Sequence, residues 1–371
     1  MIGVSINGKF LTVMVEGMPR VAYQVIGEID RLLSQENYVD EFDVELLFPR
    51  GAEPPEYQRI RTRQIGRLSG QAWEQLEFPY FSRGRIGLNF LSTGPVVKRN
   101  CVTLLHDAQM FSTPASLDRK HLLMFRTLGP AVGHLHRVIT TGSHFAKADM
   151  EGYRMIRPNR ARVIYHAASH LDDAPADESV LDAHGLRGRP FILSHSLVQA
   201  HKNAAVVCRA YALIEACEVP LVLFGRYGPA DFRDRDIPIP DNTVFVGRVS
   251  DGELKSLLQA TLLFCFPSRT EGFGLPPLEA MYLGTPCVVS TGGALPEICG
   301  DGAVYAAPDD PAGWASAIET LLGDEGARVT LAERGRQRAL SFSWTVAAQQ
   351  YLDVLRELGT AGARRRHLAC T

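Results

Sequence analysis

The sequence lacks any apolar run of the roughly 18 residues that a bilayer-spanning helix requires. Residues 1–17 lack the early basic cluster and small-residue cleavage site of a secretory signal, so we expect no signal peptide. The seven cysteines are scattered and odd in number. That pattern argues against a disulfide framework or a zinc site and predicts buried thiols in a reducing, cytoplasmic compartment. The formal net charge of −2 and the 46% hydrophobic content are typical of a soluble globular protein.

At 371 residues the chain exceeds one ordinary hydrophobic core, so two domains are expected. Short apolar runs alternate with longer amphipathic segments, which predicts an α/β architecture with parallel sheets. We place a first domain at 1–170, a linker at 171–188 and a second domain at 189–342. Residues 343–371 are expected to form a last helix and a frayed tail.

The apolar and amphipathic patterns give approximate bounds for the elements of each half. Predicted strands cover 2–6, 43–48, 101–105, 137–141, 190–196, 220–225, 243–246, 262–266 and 286–290. Predicted helices cover 19–34, 116–133, 143–153, 203–215, 251–259, 275–283, 311–323, 327–341 and 344–358.

Charge is distributed unevenly between the two halves. Residues 1–170 carry 21 basic and 16 acidic residues, and the remainder carries 18 basic and 25 acidic residues. The arginines at 59, 61, 63, 67, 83, 85 and 99 contribute most of the excess. This face is either simply solvated or meets anionic lipid headgroups or a lipid diphosphate. No aromatic interleaving accompanies the arginines, so nucleic acid is not an expected partner.

The segment Glu271-Gly-Phe-Gly-Leu-Pro-Pro-Leu-Glu279 is the most informative part of the chain. It places two carboxylates on either side of a turn in which Gly272 and Gly274 allow positive φ and close approach of a ligand. Proline is suited to the first turn of a helix, and we expect Glu279 within that turn. Unpaired N–H groups at a helix start favour an anion. Anion-binding amides beside two carboxylates that can accept from hydroxyls suit a nucleoside diphosphate sugar.

The segment FPSRTEGFGLPPLEAMYLGTPCVVSTGGALPEICGDGA, residues 266–303, resembles the donor-site signature of the retaining glycosyltransferases of family 4, which have the GT-B fold of two facing Rossmann-like domains. The resemblance implies that Glu271 contacts the donor sugar and that Glu279 accepts from the ribose hydroxyls. It further implies that the amides of Phe273, Gly274 and Leu275 contact the sugar and the distal phosphate. In that fold the last helix crosses back to the first domain.

The segment SHSLVQAHKN resembles the family's phosphate-binding loop, in which Lys202 would neutralise the diphosphate. The family usually has an arginine beside this lysine or about six residues earlier, but His201 and Ser196 occupy those positions here. Ser196 is therefore expected to line the donor site without charge, and the second cation is either missing or comes from elsewhere. Arg248 and Arg226 are the candidates.

Two further segments of the second domain bear on the donor. Arg248 and Val249 follow the segment TVFVG, and the resemblance places them beside the nucleobase. Asp234 and Asp236 form a D-x-D triplet of the kind that holds a metal in the other major glycosyltransferase fold. Because no apolar strand leads into the triplet, we interpret it as a solvated loop. The resemblance to the GT-B fold implies that no essential metal and no cofactor are needed.

In the first domain, His106 and Asp107 directly follow an apolar strand, and this pair resembles the family's motif whose histidine approaches the donor sugar and acceptor. The segment EGMPRVAYQV resembles the family's first loop, where Gly17 would pass close to phosphate and acceptor. Ser143 precedes a predicted helix and is expected to cap it.

These features predict a retaining glycosyltransferase that moves a hexose from a nucleoside diphosphate sugar to a glycan or lipid-linked acceptor in cell-surface polysaccharide or lipopolysaccharide biosynthesis. GDP-mannose or a related GDP-sugar is the favoured donor, and UDP- and dTDP-sugars remain open. Two alternatives also remain open: a sugar-nucleotide epimerase of the same fold, and a non-catalytic module that binds glycan or nucleotide.

Overall fold

The computed structural model describes residues 1–14, 17–114, 119–215 and 217–368, with side chains through residue 361. Glu16, residues 116–118 of a predicted helix and Cys370 lie outside the described residues. The chain divides into two units, one of Met1–His166 with Trp344–Thr371 and the other of Ala167–Ser343. No helix in the described part of the chain is both long enough and apolar enough to cross a membrane.

The first unit contains a seven-stranded sheet in which every pairing is parallel. Its strands are β1 (Ile2–Asn7), β2 (Phe42–Phe48), β3 (Arg61–Gln64), β4 (Ile86–Asn89), β5 (Cys101–Leu104), β6 (Val138–Thr141) and β7 (Ala161–Val163), in the order β3-β2-β1-β4-β5-β6-β7. Its helices are α1 (Met18–Leu32), α2 (Gly70–Ala72), α3 (Phe78–Phe81), α4 (Gln109–Ser112), α5 (Arg119–Leu135) and α6 (His144–Gly152), with a 3-10 turn at Gly8–Thr12 and a π turn at Trp73–Glu77.

The second unit contains a six-stranded parallel sheet with the order β10-β9-β8-β11-β12-β13. Its strands are β8 (Ile192–His195), β9 (Leu221–Phe224), β10 (Thr243–Gly247), β11 (Leu263–Phe266), β12 (Cys287–Ser290) and β13 (Val304–Ala306). Its helices are α7 (Ser179–Ala183), α8 (Ala204–Tyr211), α9 (Pro229–Arg233), α10 (Asp251–Ala260), α11 (Leu275–Tyr282), α12 (Leu295–Cys299), α13 (Pro311–Gly323) and α14 (Glu325–Leu340), after a 3-10 turn at Ser169–Asp172.

The last helix, α15 (Trp344–Leu368), belongs to the first unit. Tyr351 is buried against that unit's sheet, with its hydroxyl 3.1 Å from Thr140 Oγ1. Arg356 donates to both carboxylate oxygens of Glu41. The chain thus returns to the first unit after residue 343.

The expectation of an α/β fold with parallel sheets is confirmed, but several elements were not predicted. Strand β3 is exposed along its whole length and has no apolar pattern to reveal it. Strand β4 is only four residues long and contains Gly87, where a Cβ would lie 2.6 Å from Cys101 Sγ. The segment 171–188, predicted as a linker, contains α7 and belongs to the second unit, which begins at Ala167. Residues 361–368 of the predicted frayed tail are helical, because α15 continues to Leu368.

Six cysteines lie among the described residues, and all are free thiols, five of them buried. Burial raises the pKa of Cys101, Cys208, Cys265 and Cys299 to about 12, so these thiols stay protonated and unreactive at neutral pH. The expectation of buried thiols is confirmed for five of these cysteines, and Cys217 is half-buried.

The basic stretch of the first unit is partly neutralised by ion pairs. Arg61 and Arg85 both pair with Asp43, with one nitrogen of each 2.6 Å from a carboxylate oxygen. Arg63 and Arg85 lie 3.2 and 3.1 Å from the two oxygens of Glu45. These arginines therefore contribute less positive surface than their number in the sequence suggests.

A buried chain of polar side chains crosses the first sheet and fixes the tautomer of His136. Asn89 Nδ2 donates to Thr103 Oγ1 at 2.8 Å, so the threonine hydroxyl donates onward to His136 Nδ1 at 2.7 Å. His136 Nε2, 3.1 Å from Pro95 O, therefore carries the proton. Burial lowers the pKa of His136 to about 4.

We expect His136 to make folding less favourable in mild acid. An unfolded histidine takes up a proton near pH 6.5, whereas native His136 stays neutral until about pH 4, so its contribution to stability is lost as the pH falls between these values. Between pH 7 and pH 5 the loss is about 2 kcal/mol. Urea unfolding of wild type and His136→Gln at both pH values measures it. The variant should be less stable at pH 7 but less sensitive to acid.

The matched control for this comparison is His121→Gln, at an exposed position of α5. We expect it to keep the pH dependence of the wild type. Equal acid sensitivity of wild type and His136→Gln would contradict the assignment of a neutral, buried imidazole.

Candidate active site

Lys202 and Glu271 lie in different loops of the second unit and form an ion pair, with Lys202 Nζ 2.6 Å from Glu271 Oε1. The loops follow the neighbouring parallel strands β8 and β11, so they leave the same edge of the sheet. The side chains are 24% and 15% exposed, respectively, which partly shields the pair from water yet leaves it accessible to a ligand. Because an ammonium group has three N–H donors, Lys202 can hold Glu271 and still donate to a phosphate oxygen.

Asn203 ties the lysine loop to the loops after β11 and β13. It adopts a left-handed conformation at the start of α8, with φ of 60°. Its amide donates to Pro267 O at 3.2 Å and to Pro308 O at 2.7 Å. Arg269 strengthens the same junction, because its backbone N–H donates to His201 O at 2.7 Å. Sequence reasoning assigned neither residue a role, although Asn203 ends the segment SHSLVQAHKN and Arg269 stands in the segment 266–303.

The loop that packs against Glu271 requires glycine at two positions. A Cβ at Gly292 would lie 2.1 Å from Arg269 O, and a Cβ at Gly293 would lie 2.3 Å from Glu271 N. Gly293 also has φ of +66°, which disfavours other residues. The N–H of Ala294 donates to Glu271 O at 2.9 Å. The loops after β11 and β12 therefore pack backbone against backbone and fix the position of Glu271.

The turn between the two glutamates begins α11 as the sequence indicated. Gly274 caps the helix with φ of +98°, and a Cβ there would lie 2.6 Å from Leu295 Cδ2. Pro276 and Pro277 carry no N–H, so Gly274 and Leu275 supply the amides at the head of the helix. The ring of Phe273 is nearly buried and meets Phe342 edge to face, with centroids 6.1 Å apart.

Glu279 is the fifth residue of α11, so its expected place in the first turn of the helix is wrong by one residue. It is only 5% exposed, and its Oε1 lies 3.0 Å from Nε2 of buried His170. Tyr282, one turn later on α11, donates its hydroxyl to Asp172. The 3-10 turn that carries His170 and Asp172 thus meets two residues of α11. No local signal in the sequence points to this pairing, which joins positions more than a hundred residues apart.

The two histidines near Lys202 do not supply a second positive charge. Burial, reinforced by the charge of Lys202, lowers the pKa of His195 to about 3 and that of His201 to about 4. His195 Nδ1 accepts from the N–H of Leu197 at 3.3 Å, so the proton of the neutral ring is on Nε2. That buried Nε2, like the hydroxyl of buried Ser196, has no hydrogen-bond partner within the described residues.

The candidates for the second cation follow the two outer strands of this half of the sheet. Arg226 follows β9 and stacks on Tyr227, with its guanidinium carbon 4.7 Å from the ring centroid. Arg248 is exposed and Val249 half-buried, directly after β10. Since β10, β9, β8 and β11 are successive parallel neighbours, both arginines lie at the same sheet edge as Lys202.

His106, in the first unit, lies at the carboxyl end of β5, two residues after Leu104, the last residue of that strand. Its Nε2 is 2.8 Å from Phe90 O, a carbonyl that can only accept, so the proton is on Nε2. Burial lowers the pKa of His106 to about 4, which leaves a neutral ring with Nδ1 as an acceptor at physiological pH. Its backbone N–H donates to Ser92 Oγ at 3.0 Å, which orients the residue.

Three further positions of the first unit act at helix starts. Gly17 caps α1 with φ of +48°, and a Cβ there would meet nothing within 4 Å, so backbone conformation rather than crowding explains the glycine. Asp107 accepts from the N–H of Gln109 at 2.9 Å at the start of α4. Ser143 accepts from the N–H of Ala146 at 3.0 Å, and its predicted role as a cap is confirmed.

The second unit therefore brings together Lys202, Glu271 and the turn leading to Glu279, whereas Gly17 and His106 belong to the first unit. Asp234 and Asp236 are exposed in the turn after α9. Among the residues that the structure describes, no group of three or more histidine, cysteine, aspartate or glutamate side chains is arranged to hold a metal ion.

Comparisons with known proteins agree with this architecture. Residues 180–338 match the family described as glycosyl transferases group 1. O-antigen chain mannosyltransferase B of Escherichia coli is 27% identical over 270 residues, which span 69% of this chain and 70% of that protein.

Two solved structures share the fold over almost the whole chain. Sucrose-phosphate synthase of Thermosynechococcus elongatus superposes with a TM-score of 0.74 at 18% identity, covering 97% of this chain and all of that one. HepE of Anabaena, in complex with UDP and glucose, gives a TM-score of 0.70 at 17% identity, covering 96% and 100%. Residues 180–338 therefore form a domain of the group 1 glycosyltransferase family, and the chain is a glycosyltransferase with the GT-B fold.

Proposed function

We propose that this enzyme transfers mannose, or a related hexose, from a GDP-sugar to a glycan or lipid-linked saccharide with retention of anomeric configuration. The reaction would serve cell-surface polysaccharide or lipopolysaccharide assembly. The observation that carries the proposal is the Lys202–Glu271 ion pair beside the head of α11. The similarity to a protein named as an O-antigen chain mannosyltransferase supports the sugar and the class of acceptor.

In the proposed reaction, the bond between the anomeric carbon and the distal phosphate oxygen breaks while the acceptor hydroxyl attacks the same face of the sugar. The departing diphosphate takes the proton of that hydroxyl. Lys202 and the amides of Gly274 and Leu275 would stabilise the negative charge that grows on the phosphate oxygens. Glu271 would orient Lys202 and accept from a sugar hydroxyl, and the neutral ring of His106 would accept another through Nδ1.

The nucleotide half of the donor would lie against Glu279, with Arg248 and Val249 at the base. Because Glu279 Oε1 faces His170, Oε2 is the oxygen available to the ribose hydroxyls. The choice of GDP rests on the mannosyltransferase relative, and the UDP in the HepE structure makes a UDP-sugar the second candidate. Membership of a glycosyltransferase family favours transfer over epimerisation or binding without turnover.

We further propose that the enzyme acts in the cytoplasm, with reversible contact to the inner face of an anionic membrane where a lipid-linked acceptor would reside. The free thiols are consistent with a reducing compartment. The ion-paired arginines at 61, 63 and 85 leave fewer charges for such contact than the sequence suggested.

We expect GDP, among GDP, UDP, dTDP and ADP, to give the largest rise in melting temperature. A nucleotide at 100 times its Kd adds about 2.7 kcal/mol to the free energy of unfolding. Glu279→Gln should keep the fold but lose most of this rise, because an amide is a weaker acceptor for ribose hydroxyls. Glu319→Gln, exposed on α13, is the matched control and should keep it. A shift with UDP alone would replace GDP as the donor nucleotide.

We expect Lys202→Ala to lower kcat by about a hundredfold to a thousandfold, because a preorganised charge on the leaving group is lost. Glu271→Gln should keep a hydrogen bond to Lys202 and show a smaller loss, and Glu319→Gln should retain wild-type rates. Turnover is followed by release of the nucleoside diphosphate, and the anomeric configuration of the product by NMR. Wild-type kcat in Lys202→Ala would refute this assignment, and an inverted product would refute retention.

We expect the transfer rate to be the same before and after treatment with EDTA, since the proposed site stabilises the diphosphate with Lys202 and backbone amides. Rates are compared after gel filtration, with and without added Mg²⁺ or Mn²⁺. A loss of activity that either cation restores would show that the leaving group needs a metal.

A further inference from the structure

A cavity of about 870 Å³ opens at the amino-terminal ends of the first unit's strands, away from their carboxyl ends. Its lining includes Arg85, Lys98, Arg99, Arg137 and Arg160, and none of its lining residues is acidic. In α/β folds the reacting groups lie at the carboxyl ends of the strands, where His106 stands here. The cavity is therefore separate from the proposed transfer chemistry.

The basic lining follows from a regularity of the sequence. Arg85, Arg137 and Arg160 directly precede β4, β6 and β7, and Arg99 stands two residues before β5. Because these four strands are parallel neighbours about 4.8 Å apart, their amino ends align along one edge. The N–H of Arg137 donates to Arg99 O at 3.0 Å, which fixes these two residues side by side.

Two of the five cationic side chains already have partners within the first unit. Arg85 pairs with Asp43 at 2.6 Å and with Glu45 at 3.1 Å, so its charge is compensated. Lys98 Nζ donates to the carbonyl oxygens of Ser82 and Arg85, each at 2.8 Å.

The other three cationic side chains have guanidinium N–H donors that make no hydrogen bond within the described residues. Arg99 is exposed, and its side chain has no partner within the described residues. Arg137 makes one long contact, from Nη1 to Asn100 Oδ1 at 3.3 Å. Arg160 donates from Nη2 to His136 O, but its buried Nε has no partner within the described part of the chain. A buried donor without a partner is costly, and like charges on neighbouring strands repel, so the arrangement favours an incoming anion.

We propose that this cavity binds a phosphate-bearing anion through Arg99, Arg137 and Arg160. The planar fork of a guanidinium matches two oxygens of a phosphate, and three such groups around one cavity suit a phosphomonoester or diphosphate. The anion is either the headgroup of a membrane lipid or a soluble phosphate compound. This site does not depend on the identity of the donor or acceptor in the proposed reaction.

The test uses the full-length chain carrying Lys202→Ala, which weakens phosphate binding at the proposed donor site. Binding of inorganic diphosphate is measured by calorimetry, and binding of vesicles by co-sedimentation, using phosphatidylcholine with and without phosphatidylglycerol. Arg137→Gln with Arg160→Gln tests the cavity. Arg50→Gln with Arg189→Gln removes the same charge from exposed positions outside it and serves as the control.

We expect the cavity pair to weaken diphosphate binding by about tenfold for each guanidinium removed, while the control pair keeps the parent affinity. Loss of vesicle binding in the same pair identifies a lipid headgroup as the source of phosphate. Unchanged vesicle binding, with diphosphate affinity lost, identifies a soluble phosphate. Equal behaviour of the two pairs, or no binding of either probe by the parent, overturns the proposal.

Thermal melts establish that each variant is folded. Where the cavity pair fails to fold, Arg99→Gln carries the test, because that side chain is exposed and supports no other residue. Arg137→Lys with Arg160→Lys keeps the charge without the planar fork, and should retain an affinity between those of the parent and the glutamine pair.

Discussion

The ion pair of Lys202 and Glu271 is the interaction on which the rest of the candidate site depends. Neither residue is held by its own strand. The lysine loop is tied down by Asn203, and the glutamate loop lies on Gly292 and Gly293, where any side chain would collide with backbone atoms. The distance between the two charged groups therefore depends on the relative position of the loops that follow three strands, β8, β11 and β12. A site assembled this way tolerates little error, because displacing any one loop moves the charge that must meet the phosphate.

The burial of the Glu279 carboxylate makes folding less favourable. A carboxylate that is 5% exposed loses most of its hydration, and within the described residues it has one close polar contact, to His170, in return. A leucine at this point of α11 would pack against the same neighbours without that penalty. The second, uncommitted oxygen is the part of Glu279 that stability does not explain, and it is the part that a ribose hydroxyl would use. Burial of an incompletely paired carboxylate is thus better explained by binding than by folding.

The sequence predicted most strands and the turn that begins α11 well, because both depend on residues that are close in the chain. The alternation of apolar runs was enough for nine of the strands, and Glu271, Gly274 and Glu279 stand within nine residues of one another. Strand β3 carries no apolar pattern, β7 and β13 are only three residues long, and β4 has Gly87 among its four residues. The contact of Glu279 with His170 and the packing of Gly293 on Glu271 join residues that are distant in sequence, so no spacing could reveal them.

The two ends of the parallel sheets differ in the chemistry they can carry. At the carboxyl ends, each strand leads into a loop and the head of a helix, which supplies free amides and room for glycine turns such as that at Gly274. At the amino ends, each strand begins directly after a helix or turn, and a single residue before the strand decides what the edge presents. In the first unit that residue is arginine before β4, β6 and β7. Substitutions there change neither the apolar strands nor the loops at the opposite edge. Parallel topology thus lets one unit carry an anion site at one edge and its contribution to glycosyl transfer at the other, with little interference between them.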